Sequence, residues 1–374
     1  MKKKRSSKFP AIFLTFLLVI AVLNFLGTVF PFSPVKYQIG DETNKIATTV
    51  AKVKDALIGI EAAPVDKVLY DQKMLALANN PPVPASTSTA SSTHSTSTPK
   101  YLWPPKSAVY PLTGAILPFN RIVAYYGNFY SKGMGVLGQY PPEEMLSRLK
   151  AEVEKWQQAD PATPVVPAIH YITVTAQGLP GADGKYRLRM PDDQIDKALQ
   201  LASEVNGLVF LDIQVGQSDL PAEIPHLDKY LRLPNVHLAI DPEFSMKHGE
   251  KPGTVIGIMD ATDVNYAADY LARLVREGNL PPKILIVHRF TEGMVTNYQN
   301  IRLQPEVQIV MDMDGWGPQA KKIGTYKQVI YPYPIQFTGF KLFYRNDTVY
   351  SSSTMLAPKD LLKLRPIPSY IQYQ

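Results

Sequence analysis

Leu208-Val-Phe-Leu-Asp-Ile-Gln-Val215 is rich in β-branched and aromatic side chains and apolar on both faces, apart from Asp212 and Gln214. Such a run reads as a strand buried on both sides, the kind found in parallel sheets covered by helices. Six similar runs flank it: Arg121–Tyr126, Val165–Ile172, Val236–Asp241, Ile284–His288, Val307–Asp312 and Phe337–Tyr344. Ser369–Gln374 offers an eighth. Helical periodicity lies between several of them. Glu143–Gln157 puts Met145, Leu146, Leu149, Val153 and Trp156 on one face. Asp193–Val205 does the same with Ile195, Leu199 and Leu201, and Val264–Arg276 with Ala267, Leu271 and Leu274. Pro191-Asp192-Asp193 and Asp263 read as helix starts. Strands alternating with helices imply βαβ units and a parallel sheet. Over residues 116–374 they match the roughly 250 residues of a (β/α)8 barrel. A doubly wound open sheet would announce itself with a glycine-rich phosphate loop after the first strand, and Gly127-Asn-Phe-Tyr130 is not one. The expected fold is therefore α/β, a TIM-like barrel.

In a barrel, alternate residues of each strand point inward, and the C-terminal strand ends form the functional face. A period of two places Asp212 and Gln214 inward, opposite Leu211, Ile213 and Val215. The same rule turns His237, Ala239, Asp241 and Glu243 inward, and likewise Gln308, Val310, Asp312, Asp314 and Trp316. Asp212, Asp241, Glu243, Asp312 and Asp314 are then expected on one rim. Carboxylates gathered there are costly unless they pair, bind a cation or serve chemistry. A single aspartate at a strand end is more often a cap, which is the plainer reading of Asp212. Asp241-Pro-Glu243 says more, because its spacing puts two carboxylates on one side of a strand. His170 and His288 read as hydrogen-bonded wall residues near the rim. Trp316 suits a stacking platform for a sugar ring and a packed tryptophan equally, and Tyr126 a core or rim position.

Asp241-x-Glu243 resembles the end of the chitinase-type barrel motif D-x-x-D-x-D-x-E, with Glu243 in the place of the general acid. Met311-Asp-Met-Asp-Gly-Trp-Gly317 is similar to the M-x-Y-D-x-x-G segment of the sixth strand in that family. Val236 and Ala239 stand where two further acids belong, and Met313 replaces the tyrosine. The likeness covers two short motifs. It implies a glycosidase-like barrel with Glu243, Asp241 and Asp314 as catalytic candidates. Asp212, Asp312, Trp316, His170, His288 and Tyr126 would line the substrate. The segments Leu238–Met246 and Met311–Gly317 also resemble exported bacterial proteins of unknown function.

Lys2, Lys3, Lys4, Arg5 and Lys8 precede an uncharged run from Ala11 to Phe32 that is apolar apart from Asn24. About 20 apolar residues span a bilayer, and positive flanks stay cytoplasmic. The run is longer than a cleaved signal peptide's apolar region, and no A-x-A site follows it. A single-pass anchor is expected, with everything C-terminal to it on the periplasmic or extracellular side. Those five charges supply most of the net +6, leaving +1 for the rest, so no nucleic-acid partner is indicated. Residues 33–80 read as a juxtamembrane segment with a weak helical pattern (Val50, Val53, Leu57, Ile60). Residues 81–115 read as a linker, Ser or Thr at 11 of the 13 positions from Ser86 to Thr98.

The absence of cysteine excludes disulfides, thiolate metal sites and a cysteine nucleophile. No H-x-H follows the first strand and there is no H-E-x-x-H, so no metal or other cofactor is expected. Three functions fit: a glycoside hydrolase or lyase on envelope polysaccharide, a barrel that only binds glycan or a partner, and a metal-dependent hydrolase using His170 or His288.

Overall fold

The computed structural model describes residues 64–82, 101–105, 109–350 and 353–374. The expected anchor Ala11–Phe32, its basic flank and the Ser/Thr run lie outside these residues. Among the described residues no helix is long and apolar enough to cross a membrane.

Eight parallel strands close into a barrel: β1 (Arg121–Gly127), β2 (Val165–Ala176), β3 (Leu208–Ile213), β4 (Val236–Ile240), β5 (Lys283–His288), β6 (Val307–Met313), β7 (Phe337–Leu342) and β8 (Tyr370–Tyr373). Each pairs with the next, and β8 returns to β1 in the register Ile122↔Tyr370 to Tyr125↔Tyr373. A short strand, Arg187–Arg189, runs antiparallel to the end of β2. The inward phase is the one the alternation predicts. Ile122, Ala124, Ala168, Phe210, Ala239, Ile286 and Val310 fill the interior. Val123, Ile169, Leu211, Leu238, Leu285 and Ile309 face the helical layer.

Helices Pro142–Ala159, Asp192–Ser203 and Ala261–Gly278 cover that outer face. Asp263 does not start the third. Asp260 caps it, and Asp263 returns the bond from the third helical position, completing a capping box. The connection from β5 to β6 carries only 3-10 turns and a two-residue strand, so one crossover lacks its helix.

The floor of the barrel is closed by the end of the segment read as juxtamembrane. Helix Lys67–Ala78 starts on Asp66, whose carboxylate accepts from Leu69 N–H, and ends at Asn79 in the left-handed region. Tyr70 and Ala78 are buried, and Met74 and Leu77 pack against the interior cluster. The Ile367 N–H donates to Leu77 C=O at 2.7 Å, and Asn79 Nδ2 donates to Leu364 C=O at 2.8 Å. Its signal was available, since Tyr70, Met74, Leu77 and Ala78 fall at i, i+4, i+7 and i+8. The barrel unit thus begins before residue 116.

Candidate active site at the barrel mouth

Asp212 is the inward residue one step above Phe210 on β3, and it is fully buried. Its Oδ2 lies 3.4 Å from His170 Nε2 of β2 and 3.5 Å from His288 Nε2 of β5. His288 Nδ1 in turn lies 3.4 Å from Asp312 Oδ2 and 3.3 Å from Asp314 Oδ2, at the end of β6. A glycine makes room for this layer, because a Cβ on Gly339 of β7 would meet Asp312 Oδ1 at 2.4 Å. His170 Nδ1 is 2.6 Å from the Tyr370 hydroxyl and 3.0 Å from Gln372 Nε2, both on β8.

Above this layer stands a second group. Asp241, Glu243 and Asp314 each offer a carboxylate oxygen within 4.8 Å of the others'. The expected reason was a shared strand face, but β4 ends at Ile240 and Glu243 sits in a 3-10 turn, Pro242–Phe244. Asp241 makes that turn: its Oδ1 accepts from Glu243 N–H at 3.0 Å. The turn is packed tightly from outside, since a Cβ on Gly257 would meet Pro242 O at 2.5 Å. Gln214 ties the group to the wall, donating to Asp241 Oδ2 at 3.3 Å and to the Tyr126 hydroxyl at 3.4 Å. The Lys341 ammonium, buried on β7, lies 3.6 Å from the Tyr126 ring centroid.

All five expected carboxylates therefore meet at one mouth. With Lys341 and a protonated His288 as the cations, full ionisation would leave three more negative than positive charges. Protonation relieves part of this. Burial, then the charges of Asp241 and Asp314, hold the Glu243 carboxyl well above its usual range. Burial pushes Asp241 up to about 7, with Asp314 and Asp212 adding to the rise and His288 opposing it. Burial also raises Asp312, against the pull of His288. Burial opposes the charge on Asp212, but the two imidazoles outweigh it and hold that carboxyl below the usual range. His170 is lowered to about 4, chiefly by burial. Burial works against a charge on His288, yet the surrounding aspartates raise it well above its ordinary value.

The expected site residues divide by depth. His170, Asp212, His288 and Asp312 are fully buried and form a layer beneath the acid group, which removes them from direct contact with a polymer. Glu243 and Trp316 are only half-buried. Lys321 lies over the Trp316 indole, its Nζ 5.2 Å from the ring. Lys341, Tyr370 and Gln372 were missed. Lys341 alternates with Phe337 and Gly339 in an otherwise apolar run, which is a readable inward signal. Tyr370 and Gln372 alternate along the eighth strand that the sequence offered, but neither carries a charge that would single it out.

No family model matches the sequence, and no curated protein matches it. Among solved structures, a hyperthermophilic endo-β-1,4-glucanase in complex with substrate is similar at 10% identity, over 68% of this chain and 89% of that one, TM-score 0.36. The cellulose synthase subunit Z of Clostridioides difficile is similar at 8% identity, over 68% and 91%, TM-score 0.34. The Bacillus subtilis mannanase BCman is similar at 12% identity, over 69% and 81%, TM-score 0.36. At such scores these likenesses say nothing of this chain's chemistry, which has to come from its own residues.

Proposed function

We propose that this chain is a glycoside hydrolase, with Glu243 as its acid and Asp314 as the second carboxylate. One observation carries the reading: a half-buried carboxyl, whose hold on its proton is strengthened by burial and by the charges of Asp241 and Asp314, stands within 4.8 Å of another carboxylate at the open end of a barrel. Glycosidases need that pair, and carboxyl groups about 5–5.5 Å apart go with retention, whereas inversion needs roughly 6.5–9.5 Å for a water between them. Oxygens within 4.8 Å of each other are compatible with the shorter class, and the retaining course is the one proposed. Glu243 would give its proton to the glycosidic oxygen as an Asp314 oxygen bonds to the anomeric carbon and the leaving sugar departs. Glu243, now a carboxylate, would take a proton from water as that water displaces Asp314. Trp316, two residues beyond Asp314, is positioned in sequence to offer a ring face to the sugar.

Asp241 acts on this chemistry through Glu243. The acid works only while protonated, so activity should fall as pH rises through the Glu243 pKa. Asp241→Asn removes a neighbouring negative charge, which lowers that pKa. The alkaline limb of the kcat/KM profile should therefore move to lower pH, with substrate affinity little changed. A shift to higher pH would contradict this placement.

We also propose that the barrel stands outside the membrane, held by Ala11–Phe32, with envelope polysaccharide as its substrate. Protease added to intact cells or spheroplasts should cut between Ser86 and Thr98, leaving the barrel docked on its floor helix and giving a fragment that starts near residue 100 on a denaturing gel. A barrel protected until the membrane is broken would reverse the orientation.

A further inference from the structure

We propose that His170 Nε2, the Asp212 carboxylate and His288 Nε2 hold one divalent transition-metal ion, zinc by donor chemistry, beneath the acid group. The proposal stands independently of the glycan reading. The spacings carry it first. Charge-assisted hydrogen bonds between imidazole and carboxylate run about 2.7–2.9 Å, whereas these contacts are 3.4 and 3.5 Å. Two ligands on a tetrahedral ion, each bonded at about 2.1 Å, stand roughly 3.4 Å apart. Each of the three residues offers one donor atom within 4.8 Å of the others'.

Alignment points the same way. Both Asp212 oxygens, His170 Nε2 and both His288 nitrogens are fully buried with no hydrogen-bond partner among the described residues. Leaving one buried polar group unsatisfied costs about 1–3 kcal/mol, and more if charged. A cation at their common focus satisfies the Nε2 atoms and Asp212 together. On β4, between the strands bearing Asp212 and His288, the register partner of Asp212 is Ala239, whose methyl leaves that level open.

The outer contacts are those that orient metal-bound imidazoles, whose second nitrogen usually donates to a carboxylate or another acceptor. His288 Nδ1 faces Asp312 and Asp314 at 3.4 and 3.3 Å, longer than a formed hydrogen bond, and would close on one of them once Nε2 is ligated. His170 Nδ1 meets the Tyr370 oxygen at 2.6 Å. To ligate through Nε2, His170 must carry its proton on Nδ1 and donate it to Tyr370. The Gln372 amide then turns its oxygen toward the Tyr370 hydroxyl, a choice that amide placement leaves open, and its now unpartnered Oε1 gains a donor. Two imidazoles and one carboxylate suit zinc and its neighbours better than magnesium or calcium, which take oxygen ligands. Bound there, the ion would offset the carboxylate excess and leave a fourth position for water or another small ligand.

The test uses the full-length chain, stripped with a chelator and titrated with zinc, cobalt(II) or calcium. One zinc per chain should bind with Kd below about 1 μM and raise the melting temperature. Cobalt should give the intense visible bands of a four-coordinate site, and calcium should not compete. Asp212→Asn and His288→Gln should abolish binding, and Gln372→Leu, which touches no metal, should weaken it roughly 10- to 100-fold. Glu243→Gln should bind normally. A folded wild type that takes up less than about 0.1 equivalent of saturating zinc overturns the proposal. So does cobalt bound without those bands, or binding lost in Glu243→Gln and kept in Asp212→Asn. The cobalt spectrum needs no variant, so a misfolded substitution does not protect the idea.

Discussion

Glu243→Gln should lower turnover of the responsive glycan by roughly 10²–10⁴-fold, the usual range for removing a positioned acid or base. Glutamine keeps the shape of the side chain and its hydrogen bonding but has no transferable proton. Folding should survive, because Glu243 is half-buried and only its backbone takes part in the turn made by Asp241. Glycan binding should also survive, so the loss should fall on kcat rather than KM. The measurement is a glycan-panel assay comparing the wild type with Glu243→Gln. Equal turnover by the two proteins would sink the catalytic role of Glu243. No turnover from either across a broad panel, with binding retained by both, would make this barrel a glycan-binding module.

A fragment of residues 100–374 should be far less stable than one of residues 64–374. The shorter one lacks helix Lys67–Ala78, which buries Tyr70 and Ala78 and covers the barrel floor with Met74 and Leu77. Fully burying one large apolar side chain is worth about 1.5–3 kcal/mol, so the helix as a whole contributes roughly 5 kcal/mol. Domain stabilities lie near 5–15 kcal/mol, and that share is enough to leave the shorter fragment aggregating or without a cooperative transition. Urea unfolding followed by near-ultraviolet circular dichroism would measure it. The same midpoint and slope for both fragments would show that the helix only rests on the floor.

The sequence determined the strands of this protein and the direction in which their side chains point. Both follow from local chemistry. Runs such as Leu208–Ile213 and Val307–Met313 are apolar on two faces because they lie between an interior and a helical layer. Their period of two fixes Asp212 and Asp312 inward whatever the neighbouring strands are. The level at which such residues meet is not local. It depends on barrel closure and on the stagger between strands. That stagger sets His288 opposite Asp312 in register and brings His170, far away in sequence, to the same Asp212 carboxylate. These two histidines read as wall residues in sequence and stand at the centre of the buried layer beneath the acid group in the structure.

Glu243 shows the same division. Its spacing from Asp241 was legible, yet the strand that would have aimed it ends at Ile240, and a turn capped by Asp241 brings it back. The floor helix illustrates the converse. Its apolar spacing was written in the sequence, but nothing local said that the surface awaiting it was the open base of a barrel. Pattern is a property of a few neighbouring residues, and the chain states it directly. Depth, register and the meeting of distant side chains are properties of the closed sheet, and only its folding decides them.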